Sequence, residues 1–189
     1  MKIMFSIVTL GFLLSFTYPP LDTVDQLDLE KYMGTWHQIA TIPASFQEKC
    51  VRKTSAEYKR LDKNHVQVIN RCEEEDGEVR IAIGRARINC DFKNPSRLQV
   101  TFVKLFNWWV WSFGGDYWVI DLDADYNYSV VGDRKRFYLW ILSRSAAMEI
   151  SDLKILEEKI KDQHFDTCDI VITQEGELKG KRLCDISFG

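Results

Sequence analysis

The sequence has little of what most catalytic and metal sites are built from. It holds only three histidines, His37, His65 and His164. Their spacing suits neither a metal cluster nor a nucleophilic triad. C-x-x-C, H-E-x-x-H, G-x-S-x-G and a phosphate-cradling glycine loop are all missing. Asp121, Asp123 and Asp125 begin like a calcium loop, but Tyr126 stands where glycine is needed and Gly132 where glutamate is needed. Lys and Arg total 25 against 28 Asp and Glu, a net charge of −3 with no basic stripe. That argues against a nucleic-acid partner. Repeats and low-complexity linkers are also missing, and 189 residues suit one domain with a sizeable core.

Long apolar runs are equally scarce. The one candidate is Ile3–Phe16, preceded by Lys2. It is short for a membrane span and reads as a secretory signal over residues 1–17, with Ser15-Phe16-Thr17 as the cleavage site. No cysteine follows it, so an exported, periplasmic or secreted protein without a lipid anchor is expected. Export permits disulfides among Cys50, Cys72, Cys90, Cys168 and Cys184. Five is odd, so at least one thiol stays unpaired within a monomer.

Strand-like runs separated by turn signals fill the body of the chain. They are Trp36–Ile42, Val51–Leu61, Val66–Cys72, Val79–Ile88, Leu98–Phe106, Tyr117–Leu122, Tyr128–Val131 and Phe137–Ser143. A helix follows, with Ser151 as its cap, Ile150 stapled to Ile155, and Leu153, Leu156 and Ile160 as its apolar stripe. A short ninth strand, Asp169–Thr173, comes next. The fold class is therefore all-β: an eight-stranded antiparallel up-and-down barrel with one C-terminal helix outside. Closure removes exposed edges, and eight strands leave room for one small ligand.

Three motifs make this specific. Gly34-Thr35-Trp36 resembles the G-x-W signature of lipocalins, Asp123–Tyr126 resembles their T-D-Y turn, and Arg144 closes YLWILSR as in their third motif. The likeness is to the bacterial lipocalin branch, with the temperature-induced and apolipoprotein-D-like proteins. It covers a domain over residues 29–175 and leaves 176–189 as a tail. Strand direction puts Gly34, Trp36, Asp125, Tyr126 and Arg144 at one end. There the guanidinium of Arg144 can stack on the Trp36 indole and close the barrel.

The segment FNWWVWSFGG links the fifth and sixth strands and so lies at the opposite, open end. Phe106, Trp108, Trp109, Trp111 and Phe113 form an aromatic rim there. Three placements stay open: folded into the pocket, turned outward to a membrane interface or partner, or packed on the 42–49 loop. Alternation gives an inward wall of Ala56, Tyr58, Val68, Ala86, Val100, Phe102, Trp118, Ile120, Tyr138 and Trp140, each fixed only up to a one-residue flip. Cys50 starts the second strand and Cys72 ends the third, both near the open end, and the resemblance favours their bridge. Cys184 then has Cys90 or Cys168 as partner, with Cys50 or Cys72 as rivals.

The resemblance implies binding, storage or transport of a fatty acid or lysophospholipid, for membrane upkeep under stress. No enzyme activity, cofactor or metal is expected, and the chain is a monomer or homodimer. Rival readings are a lipid isomerase with a pocket cysteine, a tetrapyrrole or carotenoid carrier, and a barrel filled by its own side chains. Asn127-Tyr128-Ser129 is a glycosylation sequon, meaningful only in a eukaryotic secretory pathway.

Overall fold

A computed structural model describes residues 18–88 and 94–186. The segment read as a signal, residues 1–17, and Cys90 lie outside the described residues. A four-residue helix α1 (Leu29–Tyr32), capped by Asp28, leads into β1 (Gly34–Thr41). Then come β2 (Arg52–Arg60), β3 (His65–Glu73), β4 (Val79–Ile88) and β5 (Arg97–Thr101). A small hairpin of β6 (Lys104–Leu105) and β7 (Trp108–Trp109) interrupts the barrel. It resumes with β8 (Gly115–Leu122), β9 (Tyr128–Gly132) and β10 (Leu139–Ser143). Helix α2 (Ile150–Asp162) and β11 (Val171–Ile172) follow.

The sheet runs β10-β9-β8-β5-β4-β3-β2-β1-β11, and β10 also pairs with β1. Every pairing is antiparallel, so eight strands close a barrel with β11 added outside. Short turns set the register. In the β2–β3 turn the Asp62 carboxylate accepts the backbone N–H groups of Asn64 and His65. In the β9–β10 turn Asp133 accepts those of Lys135 and Tyr138.

Two apolar clusters lie on opposite sides of the barrel wall. The inner one joins Trp36, Ala56, Tyr58, Val66, Val68, Ala86, Leu98, Val119, Val131 and Leu142, and is plugged from below by Leu27, Leu29 and Tyr32. The outer one buries Leu153, Leu156 and Ile160 of α2 against Ile39, Trp118, Ile120, Val130, Leu139 and Ile141. The helical stripe is as expected, but the cap is not. The helix starts two residues earlier, with Glu149 in the cap position and no side-chain cap bond. Ile155 is exposed, so no staple forms with Ile150.

Strand five is also shorter than its expected run to Phe106. The chain leaves the ladder after Thr101, and Phe106 adopts a left-handed φ of 52° at the hairpin turn.

Candidate functional site

The inner face of the barrel is buried in its lower half and partly exposed in its upper half. Tyr32, Tyr58 and Tyr117 meet in its lower half. Their hydroxyls link in a chain, Tyr58 to Tyr117 at 2.8 Å and Tyr117 to Tyr32 at 2.9 Å, which ends on Ser129 at 3.0 Å. Burial pushes the Tyr32 phenol up to about 12 and raises the Tyr58 and Tyr117 phenols above their ordinary value too, so all three stay neutral donors at ordinary pH. The void between Leu29, Met33, Val66, Val68, Leu98 and these rings measures about 10 Å³. That is room for one water at most.

Above this floor the inward residues are small and partly uncovered. Asn70 faces Ala82 across β3–β4, and Val68 faces Gly84. Phe102 lies over Gly84, where an added Cβ would come within 2.7 Å of its ring. Across the mouth Tyr138 and Trp140 stack in parallel, 5.9 Å apart, and Phe46 leans on Tyr138. The Trp140 indole N–H donates to Gln47, whose amide in turn donates to Gln38. Phe102 and Tyr138 keep 42% and 38% of their surface exposed, although both belong to the inner face. Together these side chains outline a cup with aromatic walls and a few amides near its lip.

Of the ten residues expected to face inward, Ala56, Tyr58, Val68 and Ala86 lie in the packed lower half. Val100, Phe102, Tyr138 and Trp140 line the upper part. Trp118 and Ile120 do not face inward. They point out beneath α2, while Tyr117 and Val119 take the inner side. Both faces of β8 are apolar because the helix covers its outside, so alternation carries no sign there.

The closed end is built around Arg144. Its guanidinium sits 3.8 Å from the Trp36 ring centroid. It donates to the carbonyls of Thr35, Lys31 and Met33 at 2.8–2.9 Å. Gly34 adopts φ 95°, and a Cβ there would lie 3.3 Å from that guanidinium. Tyr126, at φ 61°, accepts the Asp28 N–H on its hydroxyl. The turn bonds come from Asp123, which accepts from the N–H groups of Asp125 and Asn127 and from the Asn127 amide. Asp125 itself is exposed in that turn.

Residues 27–175 match the lipocalin-like domain family. The chain belongs to the lipocalin family. It is 34% identical to temperature-induced lipocalin-1 of Arabidopsis thaliana over 146 residues, covering 77% of this chain and 78% of that one. It is 32% identical to the outer membrane lipoprotein Blc of Vibrio cholerae, with 80% and 85% covered. Among solved structures, insecticyanin from the tobacco hornworm Manduca sexta superposes with a TM-score of 0.66 at 22% identity, covering 87% and 89% of the two chains. Lipocalins bind small hydrophobic ligands, and the cup lies at the end where such a barrel opens.

In this lipocalin two of the five expected rim aromatics, Trp109 and Trp111, turn to the outer face of β4. Trp109 stacks on Arg85 with 5.5 Å to the ring centroid, and Trp111 on Arg87 with 4.2 Å. Both arginines project from the outer face of β4, since Ala86 between them faces inward. Gln99 donates to the Trp111 carbonyl, and Thr101 to that of Val110. Trp109 and Trp111 are thus pinned on the outer wall, a placement outside the three left open by the sequence. Arg85 and Arg87, at i and i+2 on one face of a strand, were the available signal. Phe106, Trp108 and Phe113 stay 87%, 79% and 73% exposed.

Two disulfides are present among the described residues, Cys50–Cys72 and Cys168–Cys184, with Cα atoms 5.4 and 5.0 Å apart. The first ties the loop before β2 to the end of β3 at the mouth. The second staples the tail to the turn before β11. Both fit an oxidising compartment. Among the described residues no helix is long and apolar enough to cross a membrane.

Proposed function

We propose that this lipocalin holds a fatty acid or lysophospholipid in the upper cup, acyl chain inward and head group at the lip, and meets membranes through its aromatic hairpin. The observation that carries the reading is the partial exposure of Phe102 and Tyr138 on the inner wall above a packed floor. Apolar surface left open inside a barrel is stabilised by an apolar guest, at roughly 0.8 kcal/mol per buried methylene before ordering costs. The filled floor limits the depth, so only the end of the acyl chain nearest Val100 and Trp140 reaches past Phe102 and Tyr138. Head-group oxygens at the lip would meet Gln47, Gln38 and Asn70. No cysteine among the described residues is a free thiol on this wall, which favours carriage over thiol chemistry.

Displacement of a fluorescent fatty acid from the full-length chain tests this. Oleate and lysophosphatidylcholine should displace it with one-to-one stoichiometry. Ala82→Phe, which fills the cup, should weaken both without lowering the denaturation midpoint. Failure of both lipids to displace the probe would sink the proposal.

A further inference from the structure

The outer wall of β4 carries a positive spot on a chain whose net charge is −3. Arg85 and Lys104 attend the same indole, the guanidinium 5.5 Å and the ammonium 5.7 Å from the Trp109 centroid. Neither has an acidic partner among the described residues, and the Arg85 Nε is buried without a hydrogen bond. Two like charges beside one ring repel each other, and an anion between them relieves that repulsion. The neighbouring charges are otherwise engaged. Arg87 donates twice to Gln99 and lies over Trp111. Asp116, opposite Gln99 on β8, is paired with Arg134. The acids of the β3–β4 turn, Glu74, Glu75, Asp76 and Glu78, end seven residues before Arg85 along the chain. At the rise of a strand that is roughly 20 Å, beyond two Debye lengths in physiological salt.

We infer that Arg85 and Lys104 form a head-group site that makes this lipocalin prefer anionic bilayers to neutral ones. Leu105 follows Lys104 directly and pairs with Trp108, and the exposed Phe106 is at the hairpin tip. Lys104 stands two residues before that tip, roughly 7 Å along a strand. A tip that enters the acyl chains therefore holds the ammonium near the depth of the lipid phosphates. The occupant is the phosphate of an anionic lipid in a bilayer. A choline head group also carries a phosphate, but its own ammonium competes with Arg85 and Lys104 for it. The inference rests on the membrane reading of the hairpin given above and names the lipid class that the hairpin meets. Its sign opposes that of the whole chain. A protein of net charge −3 is repelled by an anionic surface unless a local site outweighs the repulsion.

Co-sedimentation of the full chain with vesicles tests the site, phosphatidylcholine alone against an equimolar mixture with phosphatidylglycerol. The mixture should bind roughly tenfold more tightly at low salt, and the difference should vanish in molar salt, where the Debye length is about 3 Å. Lys104→Gln and Arg85→Gln should each weaken binding to the mixture roughly fivefold and leave binding to phosphatidylcholine within about twofold. Lys63→Gln removes the same charge from the exposed β2–β3 turn at the closed end and should change neither. Circular dichroism and denaturation midpoints check the fold of each variant. Lys104 is exposed, so its variant decides the matter even where Arg85→Gln unfolds. Equal or weaker binding to the mixture, with phosphatidylcholine still bound, overturns the inference and leaves the membrane reading standing. A preference for the mixture that survives the double variant overturns it too. Binding to neither vesicle removes the membrane reading and this inference together.

Discussion

Arg144 follows β10 and reaches back to the residues around the start of β1, so one side chain ties the two strands that close the barrel. Its three carbonyl contacts and the Trp36 stack use the planar fork of a guanidinium, which an ammonium cannot copy. Arg144→Ala should therefore cost about 1–3 kcal/mol, because packing goes and three carbonyls lose their donor. Arg144→Lys should recover less than half of that. Chemical-denaturation midpoints report both, and an unshifted midpoint in the alanine variant contradicts the role. Fatty-acid affinity should stay unchanged in either variant, since the cup is at the far end. Gly34, Trp36 and Arg144 were legible in the sequence because their spacing is set by chain connectivity. The Tyr32–Tyr117–Tyr58 chain was not, because it joins α1, β8 and β2 across 85 and 59 residues of sequence.

Helix α2 shows how much an element depends on the sheet beneath it. Its buried leucines were readable from their 3.6-residue period. The strands under it were not, because a wall apolar on both faces loses the alternation that sets register. The hairpin was missed for a related reason: aromatic density marks burial or contact but says nothing about which side of a wall it covers. One charge on α2 is unusual. Glu157 is 2% exposed. Burial alone would raise its pKa, but hydrogen bonds from Lys154 and Lys161 overrule it and hold the carboxyl below its ordinary value of 4.5. Thr167 donates to the same carboxylate and couples the helix to the turn before β11. A depressed folded-state pKa gives stability that is fully present above the unfolded value and is lost as pH falls through the folded one. Thermal midpoints should fall on acidification below pH 4.5 by less in Glu157→Gln than in wild type. Equal acid limbs for the two proteins would show that the pair carries no pH linkage.

Across the whole molecule the mouth end presents two apolar surfaces with different access. The cup lies on the inner wall, with Trp140 stacked on Tyr138. The β6–β7 hairpin is convex, with Leu105 and Trp108 paired on one face and Phe106 at the tip. On its other face Lys104 and Trp109 stack, near Arg85. Cations behind exposed aromatics suit the boundary between lipid phosphates and acyl chains, where tryptophan is stable. If the hairpin meets bilayers and the cup holds the lipid, two fluorescence signals must separate. Lipid vesicles should blue-shift the emission of a variant that retains only Trp108, even with the cup already filled by oleate. Oleate alone should change a variant that retains only Trp140 and leave the Trp108 variant unaltered. Phe106→Asp should abolish vesicle binding and leave oleate affinity within about twofold, because a charge at the tip is costly in the interface and remote from the cup. Loss of both signals together in Phe106→Asp would mean that the hairpin and the cup are one site, and the two-surface reading would fail.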